Sequence, residues 1–184
     1  MCWALIQRSI IGDQEAFEQI FHGYKNLVYK TAFLVLENKE DAEDILQSVF
    51  IQVYKSLATY DSSKGAFTTW LYRITINQCL NFRRRKRFRL LSFTNYLENI
   101  LATQTSQEKR FAEEQVLDSA LSSLSDNLRA VVILRYYWDM SYAEIATSLE
   151  IPLGTVKSRL SLALAKLASV LETPAEQTYK EKAK

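Results

Sequence analysis

Residues that bend a chain are nearly missing here: 184 residues hold four glycines and two prolines. Tight turns draw on the positive φ of glycine and the fixed φ of proline. Their scarcity predicts long helices and an all-α fold. Cysteine and histidine are scarcer still. Cys2, Cys79 and His22 are too few and too scattered for a disulfide framework or a metal site. They equally exclude a Cys/His or Ser/His/Asp catalytic set. No apolar run approaches the roughly 18 residues that span a bilayer. The opening MCWALIQRSIIGD has no basic start, long apolar run or small-residue cleavage site, so a secretory signal is not expected and a reducing cytoplasm is. Phosphate-cradling glycine loops, internal repeats and carboxylates paired by periodicity are missing too. No catalytic residue, cofactor, metal, small-molecule substrate or membrane insertion is expected, and the chain does not read as an enzyme.

What is present suits a folded protein with unevenly spread charge. Apolar residues make up 48% of the chain and charged residues 24%, enough to bury a core. The net charge of +2 conceals an uneven spread. Residues 1–90 carry 13 Lys/Arg against 9 Asp/Glu, residues 91–115 carry 2 against 4, and residues 116–173 carry 5 against 6. A local basic site is therefore more informative than the total.

The first helices read as packing elements. Asp13 is placed to cap Gln14–Tyr24, and Asn26–Leu36 continues with apolar residues at helical spacing. Glu40–Leu57 is more regular: Ala42, Ile45, Leu46, Val49, Phe50, Val53, Tyr54 and Leu57 form one wide stripe. Its other face carries Asp44, Gln47, Ser48, Ile51, Gln52 and Lys55. Ile51 is apolar where water is expected. A lone exposed Ile is ordinary, yet flanked by Asp44, Gln47 and Gln52 it also fits the centre of a docking strip for a partner helix.

Asp61–Arg89, DSSKGAFTTWLYRITINQCLNFRRRKRFR, is the most informative stretch. Wound as a helix from Trp70 to Arg85, it collects Trp70, Arg73, Asn77, Asn81 and Arg84 on one side. Leu71, Tyr72, Thr75, Ile76, Cys79, Leu80 and Phe82 fall on the other, as a core stripe. Amides and guanidinium groups bond base edges bidentately, and aromatic rings stack on unpaired bases. The basic run Arg83–Arg89, including Arg84 and Arg85, is read as meeting phosphates. A solvated helix with a basic C-terminal turn is the plainer alternative.

After a polar stretch at 91–115, read as a flexible linker, shorter helices resume from about residue 116. Ser141-Tyr142-Ala143-Glu144 fits a capping box that opens a helix over Tyr142–Leu149. A corner at Glu150–Leu153 leads into a longer helix, Gly154–Leu171, with Val156, Leu160, Ala163, Leu167 and Val170 on one side. Residues 141–160 thus read as a helix-turn-helix whose second helix enters the major groove. Its exposed opening residues are Thr155, Lys157, Ser158, Arg159 and Ser161. Pro174 begins a polar tail, 174–184.

Three stretches in this order resemble the extracytoplasmic-function (ECF) group of bacterial sigma factors. They are AEDILQSVFIQVYKSL (Ala42–Leu57), FTTWLYRITINQCLNFRRR (Phe67–Arg85) and SYAEIATSLEIPLGTVKSRL (Ser141–Leu160). The resemblance implies two small helical domains: a region 2 bundle over 1–90, the linker, and a region 4 helix-turn-helix over 116–173. It implies docking of the Asp44–Tyr54 helix on the β′ clamp helices of core RNA polymerase, with the β flap as a further contact. It implies capture of an extruded −10 base by the loop Asp61–Phe67, which includes Lys64 and Phe67, and −35 reading by Thr155–Ser161. Lys157 and Arg159 would hold phosphates. Many members are held by an anti-sigma protein, a further partner to expect. Leu162 and Leu164 stand where the family often has Arg, and Asn81 where Asp is frequent. A free-standing helix-turn-helix regulator would explain Ser141–Leu160 and leave Asp61–Arg89 without a purpose. A pure interaction protein that sequesters polymerase or an anti-sigma fits the near-neutral second domain.

Overall fold

The computed structural model describes residues 2–94 and 120–171, which are helical with short connections and contain no strand. The first unit is built from α1 (Cys2–Ile10), α2 (Gln14–Leu36), α3 (Lys39–Ser56) and α4 (Phe67–Thr94). Two 3-10 turns, Leu57–Thr59 and Ser62–Lys64, link α3 to α4. Helix starts follow the side-chain caps: the Asp13 carboxylate accepts from the Ala16 N–H at 3.0 Å, and Asn38 Oδ1 from the Asp41 N–H at 2.8 Å. The two segments expected at Gln14–Tyr24 and Asn26–Leu36 are one helix of 23 residues. Gly23 costs that helix about 1 kcal/mol. Ile20 and Val28, both buried on either side of Gly23, carry the helix through.

The core of this unit runs through Val28, Val35, Ala42, Val49, Val53, Leu71, Ile76 and Cys79. The expected stripe of α3 is buried except at Leu46, which is half-buried, and at its edge, where Tyr54 is 58% exposed. Burial pushes the Cys79 thiol up to about 12, despite the Arg83 charge nearby.

The second unit contains α5 (Asp126–Val132), which runs into a π-turn over Ile133–Tyr137, then α6 (Tyr142–Leu149) and α7 (Leu153–Leu171). The capping box at Ser141 and Glu144 is complete. Glu150 takes a left-handed conformation (φ 54°), and the Ile151 N–H donates back to the Ala146 carbonyl at 3.0 Å, which closes α6. Val131, Leu134, Ile145, Val156, Leu160 and Ala163 form the core. Val170, expected on the inner side of α7, is exposed because the last turns of that helix project past the core. Ser148, not expected inside, is buried against α4.

The two units touch: α6 packs on α4, and α5 meets α2 and α4. Residues 95–115 of the expected linker and the tail 174–184 lie outside the described residues.

Candidate polymerase and nucleic-acid interfaces

The α3 strip comes first in the chain. Asp44, Gln47, Ser48, Ile51, Gln52 and Lys55 are all exposed on one side of the helix. Ile51 is 57% exposed and sits at an apolar groove of about 410 Å³. Phe17, Phe50 and Tyr54 form the rest of its apolar wall, with Gln47 and Lys55 at its edges. The Phe17 and Tyr54 rings meet edge-on at 5.1 Å, so the wall is braced. The sequence reading found Ile51 and missed Phe17 and Tyr54. The available signal was angular: on the wheel, Tyr54 is the stripe residue turned furthest toward Ile51.

On α4 the split into faces follows the expected one in its centre. Leu71, Tyr72, Thr75, Ile76 and Cys79 are buried, whereas Leu80 and Phe82, expected with them, are half-buried like Arg73, Asn77 and Asn81, and Arg84 and Arg85 are exposed. Trp70 is not a bare ring on a polar face. It is packed into an aromatic cluster, 5.6 Å from Tyr60 and 5.5 Å from Phe67. Arg73 Nη1 lies 3.4 Å from the Glu150 carboxylate of the second unit. Asn81 Oδ1 accepts from Arg84 at 2.9 Å, which aims that guanidinium along the helix.

The basic run is divided by helical geometry, contrary to its reading as one phosphate-facing patch. Arg83 reaches the carboxylate of Asp126, with the Glu37 carboxylate at 3.8 Å and the Leu36 carbonyl at 3.4 Å. Lys86 Nζ pairs with Asp41 at 2.7 Å. Arg83 and Lys86 fall on the side of Cys79 and are held by neighbouring elements, which leaves Arg84 and Arg85 outward. Side chains of Arg87 and Arg89 lie outside the described residues.

Before α4, the loop Asp61–Phe67 borders a cavity of about 270 Å³ whose wall includes Trp3, Tyr24, Tyr60, Ala66, Phe67 and Thr68. Asp61 holds the turn by accepting from the Ser63 N–H at 3.0 Å and hydroxyl at 2.7 Å, and these bonds keep its carboxyl below the usual range. Lys64 extends into solvent, 3.5 Å from Asp61. Gly65, at φ 148°, takes a conformation that side chains rarely adopt, and its carbonyl accepts from the Tyr60 hydroxyl at 3.0 Å. Phe67 is buried at the cavity's floor. Trp3 and Tyr60 were not anticipated as site residues.

In the second unit Lys157, Ser158 and Ser161 are exposed at the start of α7, and Thr155 and Arg159 are half-buried. Ser158 donates its hydroxyl to the Thr155 carbonyl at 3.1 Å. Leu162 and Leu164 lie exposed further along the helix. Among the described residues no cluster of His, Cys, Asp or Glu is arranged for a metal, and no helix is long and apolar enough to cross a membrane.

Comparison with known proteins matches these two units separately. The Sigma-70 region 2 family model fits residues 20–89, and the Sigma-70, region 4 model fits residues 114–167. The ECF RNA polymerase sigma factor SigW of Bacillus subtilis is 34% identical over 160 residues, covering 81% of this chain and 85% of that protein. The ECF sigma factor SigE of Mycolicibacterium smegmatis is 33% identical over 174 residues, covering 91% and 67%. Among solved structures, CnrH in complex with the cytosolic domain of CnrY has a TM-score of 0.66 at 25% identity, covering 91% of this chain and 95% of CnrH. The sigma factor RpoE of Bartonella quintana, in complex with the anti-sigma factor NepR, has a TM-score of 0.67 at 23% identity, covering 86% and 98%.

Proposed function

The chain belongs to the ECF group of sigma-70 factors, subunits that join core RNA polymerase and direct initiation at promoters, and on that premise we propose how its surfaces divide the work. The groove around Ile51 on α3 receives the β′ clamp helices. The outward side of α4, with Asn77, Asn81, Arg84 and Arg85, follows the melted −10 strand, and the cavity before α4 takes an extruded base. The opening of α7, Thr155 to Ser161, lies in the major groove at −35. The second unit is nearly neutral and carries Leu162 and Leu164 on its surface, so its hold on DNA alone is weak. Joining polymerase supplies the missing affinity by raising its effective concentration at the promoter.

One observation carries this reading: an aliphatic residue that folding leaves in water, at a rigid aromatic groove. Burying the exposed 57% of Ile51 on a partner is worth about 0.9–1.7 kcal/mol. Ile51→Glu loses that and adds a charge the apolar groove would desolvate, so it lowers affinity for core polymerase at least about fourfold, while circular dichroism stays that of the parent. Unchanged affinity removes the docking strip. Run-off transcription with purified core tests the whole: specific transcripts support it, and operator binding without core supports the free-standing regulator instead. The likeness to CnrH, bound by the cytosolic domain of CnrY, extends the proposal to a partner protein that binds the chain away from polymerase, which co-purification at native expression levels would reveal.

A further inference from the structure

The cavity before α4 is walled in part by an element that the region 2 match, beginning at residue 20, does not include. Helix α1 places Trp3 on it, and Ile6, one turn later and buried, ties that helix to the core. The far end of α1 is fixed as well: Gly12 turns the chain at φ 94°, and Arg8 pairs with Asp13, the α2 cap, at 2.8 Å. Trp3 is thus held at a set place while half its surface stays in solvent.

Facing it is Tyr60, with ring centroids 6.3 Å apart and planes inclined by 59°. Tyr60 is locked by its hydroxyl bond to the Gly65 carbonyl, an edge contact with Phe67 and a tilted contact with Trp70. A base inserted between two rings holds them about 6.8 Å apart, two stacking steps of about 3.4 Å. In the tilted arrangement observed the two rings are in contact, so a base is admitted when the exposed Trp3 indole turns parallel to Tyr60 and moves out by one stacking step. The cavity, at about 270 Å³, is below the roughly 300–1,000 Å³ of drug-sized pockets and suits one ring system. Ser62 and Thr68 stand on the same wall.

We propose that Trp3 is a base-stacking residue, the movable half of a clamp that holds the extruded base of the melted strand against Tyr60. This rests on reading the cavity as the base pocket, and it adds a base-binding residue from α1. Stacking on one aromatic side chain corresponds to roughly 5- to 100-fold in affinity.

The test uses holoenzyme assembled from core polymerase and the full chain, at matched occupancy. A random 12-nucleotide single-stranded DNA pool is retained and sequenced, and the winning strand is remade with an abasic site at each position in turn. Wild type is expected to lose roughly 5- to 100-fold at one abasic position. Trp3→Ala is expected to bind the parent strand weaker by roughly 5- to 100-fold and to lose less than wild type at the abasic site, because Tyr60 alone still stacks there. Trp3→Phe restores most of the base dependence, whereas Trp3→Leu, apolar without a ring face, does not. If Trp3→Ala still loses as much as wild type at that position, a base is captured without Trp3 and the proposal falls alone. If wild type tolerates an abasic site everywhere, the base-pocket reading falls and takes the proposal with it.

Discussion

Glu37 occupies a backbone position that disfavours it. It closes α2 at φ 57°, where glycine or asparagine would be less strained. The carboxylate accounts for its presence. It pairs with Arg129 Nη1 at 2.7 Å, lies 3.8 Å from Arg83, and accepts from the Ser122 hydroxyl at 2.7 Å. Arg129 is 1% exposed and donates to the carbonyls of Leu121 and Val35 as well. Burial works against its charge, and the Glu37 carboxylate works for it. Breaking a buried pair by removing one partner costs about 3–5 kcal/mol. Glu37 is one-third exposed, which reduces that figure. Glu37→Gln is expected to destabilise by about 2 kcal/mol, read from urea denaturation. Glu37→Gly recovers backbone strain of about 1 kcal/mol yet remains less stable than the parent. A Gly variant as stable as the parent would show that the carboxylate does not matter. None of this was legible in the sequence. Arg129 sits between Leu128 and Val131 in an ordinary amphipathic pattern, and only tertiary packing turns it inward.

At the scale of elements, much more could be read ahead. The faces of α4 and the capping box of α6 follow from a period of 3.6 and from local chemistry, neither of which needs the rest of the molecule. The division of the basic run was also within reach. Carried past Phe82, the wheel that buries Cys79 puts Arg83 and Lys86 on the buried side. Counting charges by composition hid this. The α6 box makes a sharp prediction. Ser141 Oγ accepts from the Glu144 N–H at 3.2 Å, and the Glu144 carboxylate accepts from the Ser141 N–H at 2.8 Å. Ser141→Ala is expected to cost about 1 kcal/mol in thermal or urea unfolding. The bonds from Ser141 also hold the Glu144 carboxyl below its usual 4.5. Its share of stability is therefore present above that value and lost as pH falls through the lower, folded one. In Ser141→Ala that acid-side loss shrinks, because the depressing bonds are weakened. An identical acid limb in both proteins would contradict the assignment.

The whole molecule poses a problem of reach. By their names the −10 and −35 elements lie about 25 base pairs apart, roughly 85 Å along the duplex. Units of this size have radii of gyration near 12 Å, so two that touch cannot present their DNA faces that far apart. Yet they do touch. Ser148 donates to the Thr69 carbonyl at 3.4 Å, Trp138 lies 5.1 Å from Tyr72, and Arg73, one turn before Asn77 on α4, is beside Glu150. Arg83 and Arg129 bridge to Asp126 and Glu37. The contact is built to part. Its exposed Arg73–Glu150 pair is one that salt weakens, and Trp138 Nε1 is buried without a partner, a cost of about 1–3 kcal/mol. The chain between residues 94 and 120 can extend at most about 90 Å, enough to let the units separate. Energy transfer between dyes at Thr59→Cys and Ala168→Cys reads the separation. Cys2→Ser removes one competing thiol, and buried Cys79, with its thiol pushed up to about 12, stays unlabelled. Transfer is expected to be high in the free chain, lower at raised salt, lower in Glu37→Gln with Asp126→Asn, and lowest on core polymerase with promoter DNA. Transfer in that complex equal to the free chain's would mean the packed arrangement is the one that works. The assignment of α4 to −10 and α7 to −35 could not then both stand.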